Sequence, residues 1–203
     1  TSRNARELLT GFDLICDRTD NFEARFLLND LAILTGTPWI YCGALGSEAV
    51  VWPLHPPETP CLRCLMEEPP ASGDVDTCDS AGVLGPAVGV AASWAALEAV
   101  KVLAGEQPHA ELVRFDLWRN ERQFLKPPAT RCRFCAGKVT EFLEARWSLR
   151  ASRLCGLDGV QIRVNPPGRL DLENLQVRLE ARTGQPWKLT ELALSGSEGA
   201  WRI

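Results

Sequence analysis

The chain has 203 residues, 45% of them hydrophobic, which is enough for one domain or for a main domain with a smaller appendage. Its net charge of -4 argues against a nucleic-acid partner, because phosphate binding requires a clustered basic surface and the sequence shows none. The longest helix-like apolar stretch, 88–104, contains a serine, a glutamate and a lysine, so we predict no membrane span there. Both ends lie inside patterned sequence, and we expect a fragment of a longer globular protein.

The first part of the chain predicts a strand, a helix and a second strand. Residues 13–16 form a short apolar run of buried-strand character, and the apolar residues of 22–34 recur near helical spacing. Residues 35–38, which include a glycine and a proline, end that helix, and 39–44 is again apolar and strand-like. This order is typical of a right-handed crossover unit in a mainly parallel sheet.

The middle of the chain contains one long loop and one long helix. After a short strand at 49–52, residues 53–79 are rich in proline, glycine and acidic residues, and a loop of this length in a compact domain usually has a function. Small and apolar residues then predict a helix at 85–104. Residues 111–116 and 121–126 predict the two strands of a hairpin.

The pattern changes after residue 137, where we place a domain boundary. Residues 1–137 are predicted to form the main domain, 138–154 a charged connector, and 155–203 a small, truncated α+β appendage. Inside the appendage, a strand at 160–164 and a helix at 172–183 begin a second, smaller unit.

Two carboxylates and an amide follow the first predicted strand: Asp17, Asp20 and Asn21. Ligands bind at the carboxyl ends of the strands in open α/β sheets, and a carboxylate there can hold Mg²⁺ bound to nucleotide phosphates. The alternative is that Asp20 and Asn21 only cap the following helix. Spacing by itself leaves both interpretations open.

Two CxxC pairs form the most specific motif of the sequence, and they contain Cys61, Cys64, Cys132 and Cys135. Four thiolates can surround one Zn²⁺ tetrahedrally, and such a closed site is structural because it leaves no open position. The long separation of the pairs means that the fold would have to assemble the site. The alternatives are two independent redox pairs or disulfides. Metal-type pairs favour a reducing cytoplasm over secretion.

Cys78 is a single cysteine in the long loop, directly before the predicted helix at 85–104. A reactive thiol would suit this place, although three nearby aspartates disfavour its thiolate. The remaining cysteines lie in apolar strand patterns and are predicted to pack in the core: Cys16, Cys42 and Cys155.

The motifs, taken in their order along the chain, resemble those of the ThiF/MoeB/HesA family of adenylyltransferases over roughly residues 4–137. The family is related to the ubiquitin-activating enzymes. The resemblance implies an α/β fold with a Rossmann-like, mainly parallel sheet and flanking helices, stapled by zinc and missing its amino-terminal half. It rests on the segments 17–25, 41–48, 60–64, 77–78, 81–86, 97–101 and 132–135.

The resemblance also implies roles for individual residues. Asp17 would engage Mg²⁺-ATP, with Asp20 and Asn21 in the same nucleotide pocket, and the four paired cysteines would bind zinc. In thiamine-pathway members, a cysteine matching Cys78 lies in a loop that crosses over the carrier tail and can bond covalently to the activated carrier.

The implied reaction is ATP-dependent adenylylation of the carboxy-terminal glycine of a ubiquitin-like sulfur-carrier protein. Residues 154–179 resemble an extension of some ThiF-type members, which favours a ThiS-like carrier in thiamine biosynthesis over a MoaD-like carrier in molybdopterin biosynthesis. The family usually forms homodimers. The glycine-rich phosphate loop and its basic residues are absent, so we expect this chain alone to adenylate poorly.

Two other functions compete with this interpretation. A zinc-stapled scaffold could bind a ubiquitin-like protein without catalysis. A dinucleotide-dependent oxidoreductase is disfavoured, because no GxGxxG motif follows a strand in this sequence.

Overall fold

The computed structural model shows two compact units, which divide between Ser148 and Leu149. This division falls inside the segment 138–154 that the sequence predicts as a connector. The structure describes residues 2, 4–56, 58–70, 75–76, 78–107, 109, 111–128, 130–144, 151–153, 160–162, 171–190, 193–196 and 199–202.

The described residues of the first unit combine helices with a five-stranded sheet. The elements are α1 (Ala5–Leu9), β1 (Ile15–Cys16), α2 (Phe22–Thr35), β2 (Trp39–Leu45), β3 (Glu48–Leu54), α3 (Leu62–Leu65), α4 (Cys78–Ala81), α5 (Gly85–Leu103), β4 (Leu112–Asp116), β5 (Glu121–Leu125) and α6 (Arg133–Gly137).

The sheet has the strand order β1-β2-β3-β4-β5, and its one parallel pair is β1 with β2. The predicted strand, helix and strand account for this pair. The pairs β2–β3, β3–β4 and β4–β5 are antiparallel, so the expectation of a mainly parallel sheet is wrong for the described strands. The reason is connection length: only Gly46 and Ser47 separate β2 from β3, and a parallel crossover needs a dozen residues or more.

Helices cover both faces of this sheet. Along β2, Trp39 and Tyr41 pack in one hydrophobic cluster with α2, whereas Ile40 packs in a second cluster with α5. Because neighbouring residues of a strand point to opposite faces, both sets are buried. This burial explains why β2 reads as a continuous apolar run rather than as an alternating one.

Helix α5 lies on the sheet through a stripe of small residues, Ala87, Ala91 and Ala95, all of which are buried. By length and composition alone this helix could also cross a membrane, and 28% of its apolar window is buried. Core helices of soluble proteins pass the same test. The alanine stripe supports a core-covering role, because α5 packs along β2 and β3.

The described residues of the second unit form two small antiparallel sheets and one helix. One sheet pairs β6 with β7, and the other has the order β10-β9-β8. Near the end of the helix, the buried Trp187 donates its indole N–H to Thr183. The elements are β6 (Ala151–Arg153), β7 (Val160–Ile162), α7 (Leu172–Thr183), β8 (Lys188–Thr190), β9 (Ala193–Gly196) and β10 (Gly199–Arg202).

Gly36 ends helix α2 in the left-handed conformation, with a φ of 72°. We expect Gly36→Ala to lower the free energy of unfolding by about 1–2 kcal/mol, because a Cβ disfavours this conformation. Urea titration measures the change. Gly89→Ala is the matched control, since Gly89 lies inside helix α5 with open space around its Cα; it should stabilise by about 0.5–1 kcal/mol. Equal effects of the two substitutions would contradict the assignment.

Candidate metal centre and nucleotide edge

Two short helices place the four paired cysteines together. Cys61 precedes α3 and Cys132 precedes α6, while Cys64 and Cys135 lie inside these helices. We call 61–64 the first knuckle and 132–135 the second knuckle. The four Sγ atoms lie within 4.8 Å of one another, although the knuckles are far apart in sequence.

The spacing of the four thiols fits a tetrahedral zinc site. The Sγ distances are 3.8 Å between Cys61 and Cys64, 3.6 Å between Cys61 and Cys132, and 3.7 Å between Cys132 and Cys135. Four sulfurs at about 2.3 Å from a central Zn²⁺ would lie about 3.8 Å apart. All four cysteines are free thiols, so the disulfide alternative is wrong. Equal spacing within and between knuckles favours one joint site over two redox pairs.

The thiols also influence one another's ionisation. A hydrogen bond between Cys61 and Cys64 raises the pKa of the Cys61 thiol and lowers the pKa of Cys64 to about 4. One thiolate is therefore stabilised at the expense of its neighbour. A divalent cation would offset the repulsion among four thiolates, and Cys₄ is a donor set that suits zinc.

Helix α2 supports both knuckles from one side. The buried Asn29 accepts a hydrogen bond of 2.8 Å from the backbone N–H of Leu62, at the start of α3. Ile33, one turn further along α2, packs in a cluster with Cys61 and Cys135. The sequence predicted the four ligands, but it did not identify Asn29, whose side chain fixes the first knuckle to the helix.

Asp17 follows β1 as predicted, but its carboxylate is buried. It accepts hydrogen bonds from the backbone N–H (2.8 Å) and the hydroxyl (2.7 Å) of Thr19, and Arg25 lies 3.3 Å from its second oxygen. Burial raises the pKa of Asp17, while the Thr19 hydrogen bonds and Arg25 oppose that shift. The first oxygen of Asp17 is thus bound by Thr19, whereas the second lies buried beside Arg25 with no well-formed hydrogen bond within the described chain.

Arg25 is the centre of this local network. Besides Asp17, its guanidinium donates to the Tyr41 hydroxyl and the Thr19 carbonyl, both at 3.0 Å, and it lies 4.7 Å from the centroid of the Tyr41 ring. Gly43 makes room for it, since a Cβ there would lie 3.2 Å from the guanidinium. Arg25 thereby holds the turn after β1 against β2. Sequence reasoning assigned it no role, although it lies one helical turn after Asn21.

Asp20 and Asn21 are exposed at the carboxyl end of β1. The Asn21 side chain accepts a 2.8 Å hydrogen bond from the backbone N–H of Ala24, so the capping interpretation is confirmed for Asn21. The carboxylate of Asp20 accepts a side-chain hydrogen bond of 3.2 Å from Asn21. Asp20 is therefore the carboxylate that faces solvent at this edge.

Cys78 is exposed at the start of α4, and its Sγ lies 3.9 Å from the carbonyl oxygen of Ala44 near the end of β2. The Gly46 N–H donates to the Gly82 carbonyl and the Leu84 N–H donates to the Gly46 carbonyl, both at 2.9 Å, and these bonds hold the following segment against the same strand end. Because β1 and β2 are parallel, Cys78 lies at the sheet edge that carries Asp20. We call this edge the nucleotide edge after the nucleotide pocket that the family resemblance implies for Asp20 and Asn21, which stays a prediction.

The other cysteines depart partly from the prediction of core packing. Cys16 is exposed, so the prediction is wrong there, because β1 is an edge strand of the described sheet. Cys42 is half-buried beside the cluster under α5. Cys155 lies outside the described residues.

Comparison with known families decides the classification. The model of the ThiF family matches residues 1–135, more than half of the chain. The chain belongs to the ThiF family. This match ends at Cys135, the last of the four thiols.

Two relatives with assigned activities are similar to this ThiF-family chain. The sulfur carrier protein ThiS adenylyltransferase of Bacillus subtilis (strain 168) is 37% identical over 182 residues, which cover 88% of the chain and 54% of that relative. The sulfur carrier protein adenylyltransferase of Thermus thermophilus is 38% identical over 149 residues, 70% of the chain and 55% of that relative. The chain thus spans about half the length of these relatives.

Solved structures show the same fold at much lower identity. The crystal structure of E. coli MccB with MccA-N7isoASN has a TM-score of 0.56 and 15% identity, and the match covers 66% of this chain and 44% of MccB. At this identity the likeness concerns the fold. It supports the mixed α/β architecture of the ThiF-family chain.

The metal centre predicts a stoichiometry of about one zinc per chain. Cys132→Ser should abolish zinc binding and lower the Tm by about 10 °C. At a free zinc concentration of about 1,000 times Kd, binding stabilises the folded chain by about 4 kcal/mol, and each 1 kcal/mol shifts the Tm by about 2–4 °C. Elemental analysis and thermal melting measure both. Cys16→Ser is the control and should retain zinc. Full zinc content in Cys132→Ser would contradict the joint site.

The buried ion pair between Asp17 and Arg25 predicts that replacing Asp17 and replacing Asp20 will affect stability differently. Asp17→Ala should lower the free energy of unfolding by about 3–5 kcal/mol, because it leaves the mostly buried Arg25 without its charge partner. Asp20→Ala removes an exposed carboxylate and should leave stability nearly unchanged. Urea titration with matched samples measures both. An Asp17→Ala chain as stable as the unsubstituted chain would show that Arg25 does not depend on this charge partner.

Proposed function

We propose that this chain is part of an adenylyltransferase that activates the carboxy-terminal glycine of a ubiquitin-like sulfur-carrier protein with ATP. The single observation that carries the proposal is the nucleotide edge, where the exposed Asp20 follows β1 and the exposed Cys78 lies 3.9 Å from Ala44, near the end of the adjacent parallel strand β2. Ligands of open α/β sheets bind at such edges. The ThiF-family match and the activities of two relatives support the same reaction class.

The geometry suggests a division of roles between the two aspartates. Asp20 is proposed to hold Mg²⁺, since an exposed carboxylate beside the amide of Asn21 suits a hard cation with bound phosphates. Asp17 is proposed to act as a positioning residue, because its oxygens bind Thr19 and Arg25. The ion pair of Asp17 with Arg25 would then keep the Asp20 carboxylate in place after β1. The direct role that family resemblance implies for Asp17 is the competing assignment.

The proposed chemistry is attack of the glycine carboxylate of the carrier on the α-phosphorus of ATP. An acyl-adenylate forms as the bond to pyrophosphate breaks, and Mg²⁺ supplies charge neutralisation on the phosphates. Because both reactants are negatively charged, the reaction needs groups that hold them together and cations that offset their repulsion. The amino end of α2, next to Asn21, adds a favourable dipole for phosphate.

Among sulfur carriers we propose a ThiS-like one, for sulfur transfer in thiamine biosynthesis. The match to the Bacillus subtilis ThiS adenylyltransferase covers 182 residues, more than the first unit contains, since that unit ends at Ser148. The similarity between the two chains therefore extends into the second unit. A MoaD-like carrier is the runner-up and is an outcome of the test below.

We propose Cys78 as the residue that bonds to the activated carrier, since it is exposed at the same edge as Asp20. Its sulfur would attack the carbonyl carbon of the acyl-adenylate, and AMP would leave as the thioester forms. A complete protein of this kind is proposed to be a cytoplasmic homodimer, in keeping with the family. A stable monomer in light scattering at micromolar concentration would count against the dimer.

ATP–pyrophosphate exchange on the full-length parent protein tests the function. Exchange should require a ThiS-like carrier, and Asp20→Asn should reduce it by about 10²–10³-fold, as expected for loss of one electrostatic contact in a transition state. Asp13→Asn, an exposed carboxylate before β1, is the control and should leave the rate unchanged.

Other outcomes separate the alternatives. Exchange with a MoaD-like carrier only would move the protein to the molybdopterin branch. Loss in Asp17→Asn with retention in Asp20→Asn would return the Mg²⁺ role to Asp17. No exchange with either carrier, in a folded protein with bound zinc, would favour a non-catalytic scaffold.

A further inference from the structure

Arg63 lies in the middle of the first knuckle and is one of the most deeply buried cations of the described chain. Only 1% of its side chain is exposed. Its guanidinium carbon lies 3.1 Å from the centroid of the Phe134 ring, and Phe134 lies in the middle of the second knuckle. The central residues of the two knuckles therefore pack directly on each other.

The guanidinium also binds polar groups on both sides of the metal centre. It donates to the Glu141 carboxylate at 3.0 Å and to the backbone carbonyl of Glu67 at 2.9 Å. Glu67 follows the first knuckle and Glu141 follows the second. The rings of Phe26 and Phe142 lie 5.8 and 5.5 Å from the guanidinium carbon and complete an aromatic enclosure. Charge-assisted hydrogen bonds and ring contacts are strongest when buried in this way.

A second arginine connects the same two knuckles but lies at the surface. Arg133 binds Glu67 at 2.9 Å, with 70% and 62% of the two side chains exposed. Solvent and salt screen such a pair, so it holds the knuckles weakly. Arg63 and Arg133 thus provide a buried and an exposed contact between the same segments.

We propose that Arg63 is a positioning residue for the four-thiol site, which rests on that site binding zinc. Arg63 keeps the knuckles together when the metal leaves, so that the thiols stay near their binding positions. Zinc that dissociates then rebinds to a preformed site, and its net release is slow. Without Arg63, the exposed Arg133 pair and the support from α2 would remain among the described contacts, and we expect these to hold the knuckles less firmly.

Transfer of zinc from this chain to the chelator 4-(2-pyridylazo)resorcinol, at a temperature well below the Tm, tests the proposal. Arg63→Met, which removes the planar cation but keeps the length, should release zinc at least about tenfold faster, equivalent to about 1.4 kcal/mol. Arg63→Lys should be intermediate, because lysine keeps the charge toward Glu141 but cannot stack its head group on Phe134.

Two controls separate positioning from general destabilisation. Arg133→Met should change the release rate by less than about twofold, because the pair it removes is exposed. Val51→Ala creates a cavity in the cluster under α5, on the other face of the sheet from α2, and should lower the Tm without accelerating zinc release.

Should Arg63→Met fail to fold, Glu141→Gln provides the second variant, since it removes the charge of the half-buried partner of Arg63 and leaves the enclosure intact. It should accelerate release by a smaller factor than Arg63→Lys or Arg63→Met. An unchanged rate in folded Arg63→Met, or in Glu141→Gln when the first variant is unfolded, overturns the proposal. Equal acceleration by Val51→Ala, or a folded chain that binds no zinc, overturns it as well.

Discussion

The burial of helix α2 is the constraint on which both candidate sites depend. Its amino end carries Asn21 and Arg25, which fix the nucleotide edge, and its middle carries Asn29, which fixes the first knuckle. With its apolar residues packed on the sheet, α2 cannot shift without disturbing the hydrophobic cluster there. A single helix thereby sets the positions of the exposed Asp20 and of the four thiols.

Buried polar groups on α2 add specificity to this packing. Burial raises the pKa of Asp30 to about 6, and backbone N–H groups of Phe142 and Leu143 oppose that shift by donating to its carboxylate. Asp30 thus connects α2 to the turn after the second knuckle, as Asn29 connects it to the first. Unsatisfied buried polar groups cost stability, so each bond favours one arrangement of helix and knuckles over its alternatives.

The sequence predicted elements that depend on local patterns, and it failed where the outcome depends on tertiary contacts. Hydrophobic spacing correctly predicted α2, α5, α7 and the hairpin of β4 and β5, and the two CxxC motifs correctly predicted that the four thiols lie together. The antiparallel β2–β3 pair was missed, although only two residues connect these strands. The burial of Asp17 could not be predicted either, since it depends on Arg25 reaching back from the first turns of α2. Arg63 looked like an ordinary charged residue between two cysteines.

We propose that the nucleotide edge of this ThiF-family chain serves carrier adenylylation in the full-length protein. Intact mass spectrometry of a ThiS-like carrier, after incubation with the zinc-loaded full-length protein and Mg²⁺-ATP, tests this proposal. We expect a carrier species that has gained one AMP and that disappears when the carrier lacks its terminal glycine. A carrier of unchanged mass, beside a folded and zinc-loaded protein, would contradict it.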